Sequence, residues 1–145
     1  MIVRHLSEED FPRIQAFERE HLDPQLPQKA SLAAFRHFAR SGHSFIAETR
    51  QGEPRGFVLA QAVWQGAWAT VLVSRILAAD ETAYQALLRA LVKSAHDAGV
   101  YEVALFVREA TPLARAAASM EFQVGPLVLA RKRLGRRPDP GGVLE

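Results

Sequence analysis

Two adjacent carboxylates, Asp80 and Glu81, occupy the turn between an apolar strand and the helix that follows it. In nucleotide- and coenzyme-binding proteins that position usually carries glycines, so that backbone N–H groups can approach phosphate. Here the turn reads Ala78-Ala79-Asp80-Glu81-Thr82-Ala83, without glycine. The helix start at Thr82 and Ala83 could still offer N–H donors to a pyrophosphate, but two carboxylates would compete for them. The plain alternative is that Asp80 or Thr82 simply caps the helix. Arg75, at the strand end, could supply one compensating positive charge, or could be an ordinary arginine at a strand terminus.

Candidates for a general base are Glu48, Glu102, His43 and His37, and none has a partner at motif spacing. His21, His37 and His43 lack a metal-ligand spacing, so no metal is expected. Ser44 beside His43 is not a triad, because such groups meet through the fold rather than by adjacency. Trp64 and Trp68 flank Gln65-Gly66, where they could line a pocket, form a subunit contact, or pack across a hairpin.

Composition narrows the options further. A chain of 145 residues that is 48% hydrophobic suits one domain with a real core. The absence of cysteine excludes disulfides, thiol catalysis and cysteine-ligated metals, and fits a reducing cytoplasm. The longest apolar runs are far too short to span a membrane. The start, Met1-Ile2-Val3-Arg4-His5, has no signal-peptide pattern. Formal charge is only +2, with basic residues gathered at Arg131, Lys132, Arg133, Arg136 and Arg137. That cluster reads as a solvated sheet edge and tail; without an aromatic platform beside it, nucleic-acid binding is disfavoured.

The elements that must position these groups follow from periodicity and punctuation. Residues 2–6 read as a strand. Ser7 or Asp10 then caps a helix, with Asp10 favoured by Pro12, and Phe11, Ile14 and Phe17 face inward. Residues 22–28 contain two prolines and read as a loop. Ser31 caps a second helix with Leu32, Phe35, Phe38 and Ala39 on its apolar side, ended by Gly42. Strands are expected over residues 44–49, 56–64 and 68–76, the last two joined at Gln65-Gly66. A helix buries Tyr84, Leu87, Leu88, Leu91, Val92 and Ala95, stops at Gly99, and leads into a strand over residues 101–107. This is a βαβ crossover with a parallel pair. Thr111-Pro112 opens a last helix with Leu113, Ala114, Ala117 and Ala118 inward. Short strands are expected over residues 122–124 and 127–134 around Gly125-Pro126. The organisation is one domain over residues 1–134 and a flexible tail over 135–145. The fold class is mixed α/β (α+β), with about seven mostly antiparallel strands, four helices and one βαβ crossover.

This order, with Ile2-Val3-Arg4-His5-Leu6-Ser7-Glu8-Glu9-Asp10-Phe11-Pro12 at the start and Ser44-Phe45-Ile46-Ala47-Glu48 and Gly56-Phe57-Val58-Leu59-Ala60 as paired strands, resembles the GCN5-related N-acetyltransferase superfamily. The chain also resembles a small bacterial family of uncharacterised acetyltransferase-like proteins. Two superfamily motifs are missing. The pyrophosphate loop, Arg or Gln, two residues, Gly, one residue, Gly or Ala, falls roughly on Ala79, Thr82 and Tyr84. In the motif Asn-x-x-Ala-x-x-Leu-Tyr-x-x-x-Gly-Phe only Phe122 survives, with Ala110, Ala117 and Glu121 at the Asn, Tyr and Gly positions.

The resemblance implies acyl transfer from acetyl-CoA, as cosubstrate, to a small-molecule or peptide amine. It implies that backbone groups of the fourth strand, at Leu72, Val73 and Ser74, hold the pantetheine arm and polarise the carbonyl, with Arg75, Thr82 and Ala83 nearest the phosphates. The catalytic residues stay unassigned. A homodimer is compatible with this reading. The competing reading, carried by the two missing motifs, is a non-catalytic ligand-binding or protein-interaction module on the same fold.

Overall fold

The computed structural model describes residues 1–21, 30–123, 125, 130, 132 and 134. Of the strand expected at 122–124, Phe122 and Gln123 are described and are not in a strand; the strand expected at 127–134, the loop at 22–28, the tail and most of the basic cluster lie largely or wholly outside the described residues. Among the described residues the chain forms β1 (Ile2–His5), a 3₁₀ turn (Glu8–Asp10), α1 (Phe11–Glu20), α2 (Leu32–Ala39), β2 (Phe45–Glu48), β3 (Pro54–Gln65), β4 (Trp68–Ala78), α3 (Glu81–Asp97), β5 (Glu102–Ala104) and α4 (Pro112–Ser119). The five strands form one sheet in chain order. Only β4 and β5 run parallel, as the crossover requires. No described helix is long and apolar enough to cross a membrane.

Each face of the sheet carries its own core, because alternate strand residues point opposite ways. Phe45, Ala47, Val58, Ala60, Val71 and Val73 pack under α3 and α4. Ile46, Phe57, Leu59 and Leu77 pack under α1 and α2 with Ile14, Phe17 and Phe35. The helix starts follow the sequence closely. Ser31 and Thr111 accept hydrogen bonds from the N–H groups of Ala34 and Ala114, and Pro112 opens α4 where its missing N–H costs nothing. Gly99, at φ +71, takes the left-handed turn that ends α3.

Some expectations need correction. Ser7 caps a 3₁₀ turn that precedes the helix, and Asp10 stands at the N-cap position of α1, as expected. The Asp10 carboxylate makes no cap bond to α1; it accepts instead from the Ser7 N–H at 2.9 Å and from Arg4 at 2.7 and 2.9 Å. Leu32 and Val92 are exposed, being at the rims of their apolar stripes. On α4 it is Ala116 and Ala117 that are buried, while Ala118 faces solvent. The β3–β4 turn is Gly66-Ala67, since Gln65 still pairs with Trp68; Gly66, at φ +68, is the residue suited to it.

Two extra residues interrupt the ladders. Opposite the Ala47–Glu48 step, Arg55 is the added residue in β3. Farther along, Leu59 stands opposite Arg75 and Ala60 opposite Val73, so Ser74 is an added residue in β4. Between these two bulges β3 and β4 approach closely. A Cβ on Gly56 would lie 2.8 Å from the Ala78 Cβ and 2.9 Å from the Leu77 carbonyl oxygen. Backbone cannot retreat cheaply, so Gly56→Ala should destabilise the protein by about 1–3 kcal/mol in chemical denaturation. Unchanged stability would mean that the two strands can separate there.

Candidate functional site

The bulge in β4 is the centre of the candidate site. On the other side of β3 the ladder with β2 ends at Phe45–Val58, and the backbone groups of Ala60, two residues on, face that same side with no strand residue to meet them. The Ser44 hydroxyl accepts from the Ala60 N–H at 3.0 Å and donates to the Ala60 carbonyl at 3.1 Å. The Ser41 hydroxyl donates to the same carbonyl at 2.6 Å and accepts from the His43 N–H at 3.1 Å. Two serines that precede β2 thus hold β3 on its β2 side, level with the bulge in β4. Beyond it β4 also loses its other neighbour. Pairing with β5 covers Thr70–Glu102, Val71–Val103 and Leu72–Ala104, and then stops while β4 runs on to Ala78. From Val73 onward the β5-facing edge of β4 has no strand partner among the described residues. Ser74 is exposed there.

At the end of β4 the chain turns into α3. Asp80 is the N-cap and its Oδ1 accepts from the Ala83 N–H at 2.9 Å. Its Oδ2 accepts from Arg55 at 2.6 Å. Glu81 accepts from Arg115 of α4 at 3.2 Å. Both carboxylates are thus matched by arginines. The cap bond to Ala83, helped by Arg55, holds the Asp80 carboxyl below its ordinary range. The Ala83 N–H is already taken, whereas those of Glu81 and Thr82 find no acceptor among the described residues.

Arg75, the residue after the bulge, is turned to the α1 face. Its Nε donates to Glu18 of α1 at 2.9 Å. The pair is largely buried, with side-chain exposures of 14% for Arg75 and 4% for Glu18. Its charge is committed to Glu18 rather than to the α3 turn, because the bulge shifts the strand by one residue and so selects the face. Nearby on the same face Gln61, which pairs with Leu72, meets His37 of α2 at 2.6 Å.

The other expected acid–base groups are spread across the fold. Glu48 accepts from Arg4 at 3.0 Å and from Arg13 at 3.0 Å. The Arg4 bond foremost, then Arg13, holds its carboxyl below the usual range, which makes it a structural anion. Glu102 accepts from the buried Thr70 hydroxyl at 2.9 Å. His43 is buried, and its Nδ1 lies 2.9 Å from the Ser94 hydroxyl of α3. Trp64 and Trp68 stand exposed at the hairpin tip. No group of three or more potential metal ligands occurs among the described residues.

Sequence reading missed Glu18, Arg55, Arg115 and Ser41. A signal existed for Glu18: it stands four residues after Ile14 and next to Phe17, an acid on the inward stripe of an amphipathic helix. The arginine pairs join residues 25 and 34 positions apart, beyond the reach of local spacing.

Comparison with known proteins places this geometry. A family model described as "Protein of unknown function (DUF1999)" matches residues 1–140. The chain belongs to that family. Wild-type TTHA1254 from Thermus thermophilus is 50% identical over 94% of this chain and 100% of its own, with a TM-score of 0.80. A putative acetyltransferase from Agrobacterium tumefaciens str. C58 covers 92% of this chain and 100% of its own, at 16% identity and a TM-score of 0.70. A ribosomal-protein-alanine N-acetyltransferase from Brucella melitensis biovar Abortus 2308 covers 92% of this chain and 100% of its own, at 12% identity and a TM-score of 0.68. No curated protein sequence matches. This DUF1999 member therefore has the GCN5-related N-acetyltransferase fold, as its element order implies.

Two measurements test the local account. Ser44→Ala removes both bonds to Ala60 and leaves a buried N–H without that partner, so stability should fall by about 1–3 kcal/mol. A neutral result would show that Ser41 or water replaces it. Burial, with a smaller effect from His5, pushes His43 below its ordinary value. The unfolded chain then binds a proton more readily than the folded one. Stability from this group is present above about pH 6.5 and is lost as pH falls below it. Melting temperature should drop between neutral and mildly acid pH in the wild type and less steeply in His43→Gln; parallel curves would contradict this.

Proposed function

We propose that this protein is an acyl-CoA-dependent N-acyltransferase, with acetyl-CoA as donor and an amine as acceptor. The observation that carries the reading is the open edge of β4. Past Leu72 its β5-facing side has no strand partner among the described residues, and the strand is bulged at Ser74. Backbone groups at Leu72, Val73 and Ser74 are suited to line up an extended pantetheine arm as a further strand would be lined up. An N–H at the bulge, aimed out of the ladder, can stabilise negative charge on the acyl oxygen as the tetrahedral intermediate forms. The free N–H groups of Glu81 and Thr82, at the positive end of α3, suit the pyrophosphate.

In the reaction the thioester C–S bond breaks and an N–C bond forms; the ammonium must first lose a proton, and the thiolate finally gains one. Ala117 stands where relatives often have the tyrosine that protonates the thiolate, so in this chain water fills that role. Recognition by backbone tolerates sequence change, which lets the activity outlast both side-chain motifs. The partner we propose is a small-molecule or peptide amine, and the setting a reducing cytoplasm.

The alternative is a non-catalytic module on the same fold. The observation that favours it is the first turn of α3, where Asp80 takes the Ala83 N–H and both acids are already paired. Calorimetry with acetyl-CoA separates the readings, because saturable binding is required for the enzyme and no binding favours the module. Asp80→Asn with Glu81→Gln keeps the cap and the shape. It also releases Arg55 and Arg115 toward the phosphates. Affinity for acetyl-CoA should rise several-fold, most at low salt, since each unit charge pair is worth on the order of 1 kcal/mol in a wet site. Affinity for a pantetheine fragment without phosphates should hardly change. An equal gain for that fragment would mean that the phosphates lie elsewhere.

A further inference from the structure

We propose that the outward half of the Glu18–Arg75 pair recognises the acceptor, and that the acceptor is an amine bearing its own carboxylate. The inference rests on the acyltransferase reading and goes beyond it by naming a substrate class. The pair is held by one hydrogen bond, from Arg75 Nε to Glu18 Oε1. Arg75 Nη1 and Nη2 and Glu18 Oε2 make no hydrogen bond among the described residues. Yet no buried side-chain nitrogen or oxygen among those residues lacks a partner. All three atoms therefore reach solvent, although the residues that carry them are mostly buried. The result is a recessed arginine fork and a carboxylate oxygen side by side, each with unused hydrogen-bonding capacity.

The position is as informative as the valence. Arg75 immediately follows the bulged Ser74, opposite Leu59 on the α1 face. An acyl group laid along β4 past Leu72 would lie beside this pair on that face, because Arg75 follows Ser74 directly. A ligand entering there meets a donor fork and an acceptor whose charges cancel. Net charge brought into a mostly buried place is costly, whereas a zwitterion adds none and can satisfy both partners. A carboxylate suits the two Nη groups bidentately, and an ammonium suits Glu18 Oε2. A plain amine would leave the arginine fork unmatched.

The test uses the full chain with acetyl-CoA and a thiol-release assay. Alanine, leucine and phenylalanine are compared with their decarboxylated counterparts, ethylamine, isoamylamine and phenethylamine. We expect kcat/KM at least tenfold higher for the amino acids. In Arg75→Lys, which keeps the charge opposite Glu18 but loses the fork, that ratio should collapse toward one, mainly through KM for the amino acids. Because a variant of a buried pair could be poorly folded, wild-type amide NMR with phenylalanine or phenethylamine, without coenzyme, supplies a second readout. Phenylalanine should shift resonances near Glu18 and Arg75 at lower concentration than the amine. Equal or better use of the amines overturns the proposal, as does a preference that survives Arg75→Lys, or a failure of any amino acid either to bind or to react. If phenylalanine binds at Arg75 while acetyl-CoA does not bind at all, the acyltransferase reading fails and the site remains as an amino-acid site.

Discussion

One added residue in a central strand sets the register of everything around it. Were Ser74 paired in register instead of bulged, β4 would keep its two-residue period through its whole length. Val71, Val73, Arg75 and Leu77 would then share the face packed by α3 and α4, and Ile76 and Ala78 would turn toward α1. The observed cores show the opposite beyond the bulge: Ile76 and Ala78 join Val71 and Val73, and Leu77 joins the α1 side. A single-residue slip reverses the facing of the rest of the strand, which is how one serine moves a guanidinium out of one core and against Glu18 of another. On the far side of β3 the Ser41 and Ser44 hydroxyls occupy the backbone groups of Ala60 that the end of β2 would otherwise leave bare, level with the bulge.

The position of α1 matters for the same reason, since Glu18 must arrive opposite Arg75. That helix is anchored at its start by four charged residues from three parts of the chain. Arg4 of β1 grips Asp10 with two nitrogens and also reaches Glu48 of β2. Arg13 of α1 bonds Asp10, Glu48 and the Gly52 carbonyl. Single exposed ion pairs contribute little, but a shared network with a bidentate arm and a buried carboxylate at Asp10 restricts the helix more than any one pair could. Ile14 and Phe17 then fix its rotation by burial, and Glu18 follows one residue later on the same stripe.

What the sequence reveals follows the range of the forces involved. Caps at Ser31 and Thr111, the stop at Gly99 and the βαβ crossover depend on groups a few residues apart, and periodicity makes them readable. The assignment of Leu72, Val73 and Ser74 to the coenzyme comes from the resemblance of the whole element order, not from any local motif; the structure shows that the β5-facing edge of β4 is open among the described residues from Val73 onward. The bulges are invisible, because one exposed or half-exposed polar residue such as Ser74 or Arg55 also fits an ordinary strand, and only the partner strand's register shows that it is an added one. The partners of Arg75, Asp80 and Glu81 are invisible too. They come from α1, β3 and α4, and only tertiary structure brings them together.

The α3 turn shows why a missing glycine motif and a weak phosphate site are different statements. A glycine loop leaves the first N–H groups of its helix to the ligand and relies on that ligand to satisfy them. Here Asp80 satisfies one of them permanently, through the Ala83 N–H, while Arg55 and Arg115 balance the acids. The helix start is stable alone, so an empty site carries no energetic penalty. Two N–H groups and two arginines remain within reach of an incoming anion, but the arginines must first leave their carboxylates. Those pairs are all at least partly exposed, so the exchange runs between solvated partners and its cost is small compared with extracting a buried charge. For the coenzyme site proposed above, the turn would therefore be electrostatically reversible rather than blocked, and its lack of glycine would bear on affinity more than on whether an anion binds.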